Sequence, residues 1–269
     1  MKYRLTAFAI FFLTYACSAA EIELFTESFP PYNFVQEDKI VGINTDLLSL
    51  ACKQANIDCS FSLYPWKRAM DSVKRRPNSG LYSTARINER EDNFIWVGPI
   101  VSSYSCFYKL TTRRDIAADD YNALKNYTVG IPRSDIYENI LQRIGLNEAN
   151  NYLTFSKKHE DMSMFEQGKL DLIIGSSLTL SSQLTQVNLK PKDIEPVIQL
   201  KDIALVANYL ALNKNTNPEL VSKLQHALDQ IKANGLIESI VSKYVPVNKD
   251  SNTSSTAQTK RCVDGAAKY

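Results

Sequence analysis

The side chains best suited to chemistry fall in a few short runs. Residues 86–92 read Arg-Ile-Asn-Glu-Arg-Glu-Asp, a charged loop in which Arg86 and Arg90 carry planar guanidinium forks able to grip a carboxylate through paired hydrogen bonds. The same loop also reads as ordinary solvated surface. Arg133, Ser134 and Asp135 stand at the head of a helical pattern. Aromatic candidates are Phe29, Tyr32 and Trp66, the last with a strong competing reading as core packing. Hydrolytic machinery is missing: His159 and His226 are the only histidines, and no Ser-His-Asp or Cys-His set occurs in a workable order. No Gly-rich phosphate loop and no Cys-x-x-Cys are present, so neither a cofactor nor a metal is expected. A lone Glu or Asp acting as general acid keeps a lyase open. His159, inside Lys157-Lys158-His159-Glu160-Asp161, reads most simply as a solvated residue at a helix start.

Compartment follows from the first twenty residues. Lys2 and Arg4 precede an apolar run, Leu5 to Phe12, too short to span a bilayer. Ser18-Ala19-Ala20 then supplies small residues at the spacing of a signal-peptidase site. Residues 1–20 are therefore expected to be a cleaved leader, and the remainder to be periplasmic. Cys17 raises a lipoprotein alternative, which Thr14-Tyr15-Ala16 fits poorly. Two of the 31 Lys and Arg lie in the leader and none of the 29 Asp and Glu, leaving 29 of each sign. Nucleic-acid binders usually carry a basic excess, so that class is disfavoured.

Four cysteines follow the leader. Cys52 and Cys59 flank a helix-to-strand turn, and pairing across it suits an oxidising compartment. From Asn248 onward the chain turns polar and is expected to be a disordered tail. That tail contains Cys262, whose partner, if it has one, could be Cys106.

Strands and helices of crossover length alternate. Ile22–Thr26 reads as a buried strand, and Thr45–Gln54 as a helix with Leu47, Leu48 and Ala51 on one face. Ser60–Tyr64, Gly80–Thr84 and Phe94–Val97 read as strands, with Pro65 opening a helix before the second of them. Tyr127–Ile131 and Leu170–Gly175 are strands of the middle section, where Ser134-Asp135 caps a helix stopped by Gly145. Pro218 opens a strongly amphipathic helix, and a last helix covers Leu236–Tyr244. The alternation implies an α/β chain with mainly parallel sheets covered on both faces.

Four stretches in this order resemble the type II periplasmic solute-binding proteins of amino-acid ABC transporters, solute-binding family 3. They are Phe29-Pro30-Pro31-Tyr32 with Val41–Leu48, Ser83–Arg90 leading into Phe94–Pro99, Gly168–Ile174, and Tyr209–Leu212 with the terminal helices. The resemblance spans about Ile22 to Pro246. It implies two lobes, 21–102 plus 206–247 and 103–205, with 248–269 as the tail. Two crossing strands near Val101–Tyr104 and Leu205–Asn208 would form the hinge, and closure would trap ligand in the cleft. The spacing of Cys52 and Cys59 matches a disulfide in basic-amino-acid-binding members.

Carried over by resemblance, Arg90 would grip the ligand carboxylate, Ser83 and Thr84 would offer hydroxyls and amides, and Phe29 would stack on the ligand beside Tyr32. In the second lobe the pattern departs from the family. Ser176 stands where α-amino-acid binders place an acid for the ammonium group, and Arg133-Ser134-Asp135 replaces a glycine and hydroxyl pair. Either Asp135 or Glu27 takes over, or the ligand is not an ordinary α-amino acid. Arg86, Arg90 and Arg133 together would suit extra negative charge. The implied partners are a small solute and an inner-membrane ABC permease, served by a monomer. A receptor-docking ligand sensor and, behind it, a dehydratase-like lyase share this fold.

Overall fold

The structure, a computed structural model, describes residues 20–133, 135–201, 206–245, 259 and 262. The expected leader lies outside these residues except for Ala20, and Ser134, Leu205 and most of the tail also fall outside them.

Two five-stranded sheets organise the chain. The first contains β1 (Ala20–Thr26), β4 (Ile57–Leu63), β5 (Ser79–Thr84), β6 (Ile95–Ser102) and β12 (Ala207–Leu212), ordered β4-β1-β5-β12-β6. A small hairpin, β2 (Phe34–Gln36) and β3 (Lys39–Val41), precedes helix α1 (Ile43–Ala55). Helices α2 (Trp66–Arg75), α3 (Asn88–Glu91), α7 (Pro218–Ala233) and α8 (Leu236–Tyr244) complete this lobe 1. The second sheet orders β11 (Ile194–Gln199), β7 (Ser105–Leu110), β10 (Leu172–Ser176), β8 (Val129–Pro132) and β9 (Tyr152–Phe155). With α4 (Ile136–Arg143), α5 (Met162–Glu166) and α6 (Leu180–Leu184) it makes lobe 2.

Burial explains the elements. β1 sits between two parallel neighbours, and Ile22, Leu24 and Phe25 are buried, as expected for a strand covered on both faces. α1 buries Leu47, Leu48, Ala51 and Cys52 and packs against α7. α7 begins at Pro218, with the Asn217 side chain accepting from the Glu219 amide, and turns Leu220, Leu224, Leu228 and Ile231 into the same core. Gly42 enters α1 at φ 125, where an added Cβ would lie 2.5 Å from the Tyr32 carbonyl oxygen. That close approach holds the Phe29–Asn33 turn against the helix start.

Each sheet is mainly parallel, four strands running one way and a single strand reversed, β12 in the first and β7 in the second. β12 pairs antiparallel with β5 and β6, and β7 pairs antiparallel with β10 and β11. These strands carry the chain between lobes, so helical crossovers do not set their direction. The two crossings are joined: the Ser103 amide donates to the Val206 carbonyl at 2.8 Å.

Each lobe holds one disulfide. Cys52 bonds Cys59 across the α1–β4 turn, seven residues apart. Cys106 on β7 bonds Cys262 across 156 residues, and the Tyr108 hydroxyl donates to the Cys262 carbonyl. Expected disorder is therefore corrected at Thr259 and Cys262, which are buried. Cys262 joins the apolar cluster of Met162, Phe165 and Ile173, and covalent attachment with burial offsets the tail's polar composition at that point.

Candidate functional site

A cavity of about 1020 Å³ separates the sheets. Its walls come from the carboxyl ends of the parallel strands, where open α/β sheets present ligand sites. Lobe 1 supplies Glu27, Ser28 and Phe29 after β1, Tyr64, Pro65 and Trp66 after β4, Thr84 at the end of β5, and Ala85 and Arg90 beyond it. Lobe 2 supplies Pro132 at the end of β8 with Arg133 and Asp135 beyond it, Ser156, Lys157, Lys158, His159 and Asp161 after β9, and Ser176 at the end of β10.

Arg90 lies on the lobe 1 wall. Its Nη1 donates to Thr84 Oγ1 at 3.1 Å and to the Ala85 carbonyl at 3.4 Å. The guanidinium centre stands 5.5 Å from the centroid of the Trp66 ring. Burial lowers its pKa, with the charges of Asp135 and Glu89 opposing; a guanidinium stays charged at any ordinary pH. Among the described residues its hydrogen bonds all leave from Nη1, so Nε and Nη2 remain for a ligand. Thr84, buried, therefore positions the arginine. Trp66 packs against the Phe25–Val73–Phe94 cluster and also lines the cavity.

Ser83 lines the cavity, but its hydroxyl is already engaged. It donates to Asn33 Oδ1 and accepts from Asn44 Nδ2 at 2.8 Å. These bonds hold it in the left-handed region, φ 60, uncommon for a side-chain-bearing residue. Ser83 shapes the end of β5 more than it offers a free hydroxyl. Tyr32 is buried at the cavity base, its hydroxyl 3.0 Å from Ser103 Oγ and also interacting with Ser176 and Asn208. It touches both lobes and the hinge. Ser176 is further committed to Thr179, whose hydroxyl lies 3.2 Å from its own.

Arg86 does not line the cavity. It is exposed, forms a forked pair with Glu91 and lies over Trp96 and Tyr209. Its nearest carboxylate, five residues on, satisfies the fork locally, so of its two readings, second anion contact or solvated neighbour, the geometry fits the second. Arg133 is exposed at the cavity edge, its Nε 3.4 Å from Thr154 Oγ1.

Lobe 2 contains the group the sequence reading passed over. Lys158 Nζ lies 2.5 Å from Asp135 Oδ2, 3.5 Å from Glu27 Oε1 of the opposite lobe, and 4.4 Å from the centroid of Phe29. Burial alone would depress the ammonium pKa, but the two carboxylates outweigh it and raise it above the ordinary lysine value. Burial raises Glu27, with Lys158 opposing. Asp135 also accepts from the Tyr137 amide at the start of α4, as the sequence suggested.

His159 is a second correction. It lines the cavity 6.4 Å from the Phe29 ring in a left-handed turn, φ 66. Burial first, and the Lys158 charge second, bring its pKa down to about 4, so it is neutral at pH 7. Asp161 is 5% exposed and burial lifts its carboxyl to about 6. Gly130 makes room for it: a Cβ there would fall 2.4 Å from Asp161 Cβ. The missed signal was β9, since recognising that strand would have put the run after its carboxyl end in the cleft.

Two sheets with a cleft between them, crossing strands tied to each other and an arginine on one wall define a two-lobed solute-binding protein. Residues 24–247 match the bacterial extracellular solute-binding proteins, family 3, and the chain belongs to that family. An arginine-binding periplasmic protein of Mannheimia haemolytica is 23% identical over 84% of this chain and 92% of its own. A putative ABC transporter arginine-binding protein of Escherichia coli is 24% identical over 91% and 99%. A Salmonella typhimurium periplasmic binding protein described for high arginine specificity superposes with TM-score 0.65, at 18% identity, over 84% of this chain and 99% of its own. At that identity the last likeness bears on the fold alone.

Proposed function

We propose that this chain is a periplasmic capture protein for a small carboxylate-bearing solute, an amino acid or a close relative, which it delivers as a monomer to an inner-membrane ABC permease. The observation that carries the reading is Arg90: a guanidinium held by Thr84 and Trp66 on the wall of an inter-lobe cavity, with donors to spare. A planar fork binds a carboxylate through two parallel charge-assisted bonds. Family membership and the names of the relatives support the transport role. Two disulfides support an oxidising compartment, consistent with residues 1–20 acting as a leader. Binding draws the lobes together about the Ser103–Val206 contact, which shrinks the radius of gyration in solution scattering.

The test is a thermal-shift and calorimetric screen of amino acids, dicarboxylates and other small anions against the protein. Arg90→Ala should lose at least tenfold in affinity for the solute found, since a bond to a charged group contributes about 1.5–3 kcal/mol and about 1.4 kcal/mol is tenfold. Arg90→Lys should rescue it only in part, because a point charge cannot reproduce the fork. Undiminished binding by Arg90→Ala would remove the carboxylate clamp. The reading is of capture without turnover; consumption of a bound solute during incubation would replace it with a lyase.

A further inference from the structure

An ammonium held between two carboxylates and above an aromatic face is the arrangement by which a protein captures a cationic ligand group. Here the chain fills that seat itself. The Lys158 ammonium has Asp135 at 2.5 Å, Glu27 at 3.5 Å and the Phe29 ring at 4.4 Å, and its side chain is 15% exposed. Asp135 and Glu27 are mostly buried as well. The lysine comes from lobe 2, while Glu27 and Phe29 come from lobe 1, so the seat spans the cleft and is satisfied before any solute enters.

We propose that Lys158 is the specificity-determining residue of this cavity. By occupying the cation seat it excludes solutes with a positively charged far end and leaves a site for carboxylate-bearing solutes whose far end is neutral or anionic. The proposal rests on the capture reading above and narrows its ligand class.

The physical balance runs one way. A guanidinium or ammonium brought to Phe29 would find both carboxylates already neutralised and a like charge within a few ångströms, which is costly where burial limits screening. Displacing Lys158 would strip two short ion pairs from a group whose charged form those partners stabilise. The surrounding charges reinforce the effect, since Arg90, Arg133 and Lys157 also line the cavity. His159 adds no charge near neutral pH. Among the described residues Asp161 is the one further carboxylate that lines the cavity, and it packs against Gly130. It remains for a ligand's α-ammonium group, so the selection acts on the far end of the solute rather than on its backbone.

The experiment measures binding of L-arginine, L-lysine, L-glutamine and L-glutamate to the wild-type protein, Lys158→Met and Lys158→Gln by calorimetry and thermal shift at pH 7.5. Opening the seat should leave Glu27 and Asp135 able to hold a ligand cation. Either variant should then gain at least tenfold in affinity for L-arginine or L-lysine relative to wild type. Each should also be destabilised without ligand and restored by L-arginine. A wild type that binds none of the four probes while a variant gains L-arginine still supports the proposal, the natural solute then lying outside the panel. Wild-type protein that binds L-arginine more tightly than L-glutamine overturns it without recourse to any variant, and leaves solute capture standing. Folded variants that keep wild-type ligand binding but gain no basic probe also overturn it. If neither wild type nor variants bind any probe, the proposal falls together with the amino-acid form of the capture reading.

Discussion

The two walls of the cleft are built on different principles. Lobe 1 presents Arg90 on a short, locally determined run, where Thr84 and Trp66 set its position. Lobe 2 presents charges that satisfy one another before a ligand arrives: Lys158 against Asp135, with Glu27 reaching across from lobe 1. In the reading proposed above, one wall would carry the generic grip on a carboxylate and the other would decide what else the solute is permitted to carry. The same asymmetry holds in the covalent staples, one closing seven residues within lobe 1 and the other 156 residues into lobe 2.

That contrast can be broken by experiment. In the chain-entropy picture, removing the long staple with Cys106→Ser and Cys262→Ser together should cost about 5 kcal/mol. Denaturant unfolding monitored separately in each lobe should show lobe 2 giving way first. A loss below about 1 kcal/mol would mean that the buried contacts of Cys262 suffice without the bond. The equivalent double change at Cys52 and Cys59 should cost about 2–3 kcal/mol, because the closed loop is far shorter. Equal losses for the two pairs would erase the asymmetry.

The smallest effect concerns Asp161. Its folded carboxyl pKa, about 6, lies above the ordinary aspartate value of 3.8, so between these values the native state holds a proton that the unfolded chain releases. Its contribution is fully present below pH 3.8 and is lost as pH rises through 6. Asp161→Asn should therefore raise stability at pH 7.5 by about 1–3 kcal/mol and flatten the fall between pH 4 and 6. His159 works in the opposite direction. Its folded pKa, about 4, lies below 6.5, so it favours the folded state above pH 6.5 and that contribution disappears as pH falls toward 4. The difference between Asp161→Asn and wild type isolates the carboxyl. An aspartate variant no more stable than wild type at pH 7.5 would place Asp161 in contact with a compensating cation.

Much of lobe 1 was legible because its signals are local. The Pro65 helix start, the apolar face of α1 and the Arg90 loop each follow from neighbouring residues, and the short Cys52–Cys59 bridge spans a single turn. The Phe29 and Tyr32 positions were legible too, though not that Tyr32 would spend its hydroxyl on the hinge. Lobe 2 was harder for a physical reason. β9 is only four residues long, and the five charged or polar residues at 157–161 have the composition of a solvated turn. What draws Lys158, His159 and Asp161 inward, while Lys157 and Glu160 stay exposed, is the left-handed turn at His159 and the approach of Glu27 and Phe29 from more than a hundred residues away. Arg86 left two readings open, a second anion contact or a solvated neighbour, and only its pairing with Glu91 five residues on decides between them.

The long disulfide also sets a schedule. In the export proposed above the chain emerges amino end first, so Cys52 and Cys59 meet within a few residues of one another. Cys106 must wait for a partner 156 positions behind it. At roughly 5–20 residues per second that delay is about 10–30 s, comparable with the time in which disulfides form and reshuffle. During this interval Cys106 is the unpaired thiol most open to a wrong partner, and the early closure of Cys52 with Cys59 removes the two nearest ones. The Cys106–Cys262 bond can thus form only once residue 262 has crossed, so in this export reading an oxidised pair reports translocation at least that far along the chain.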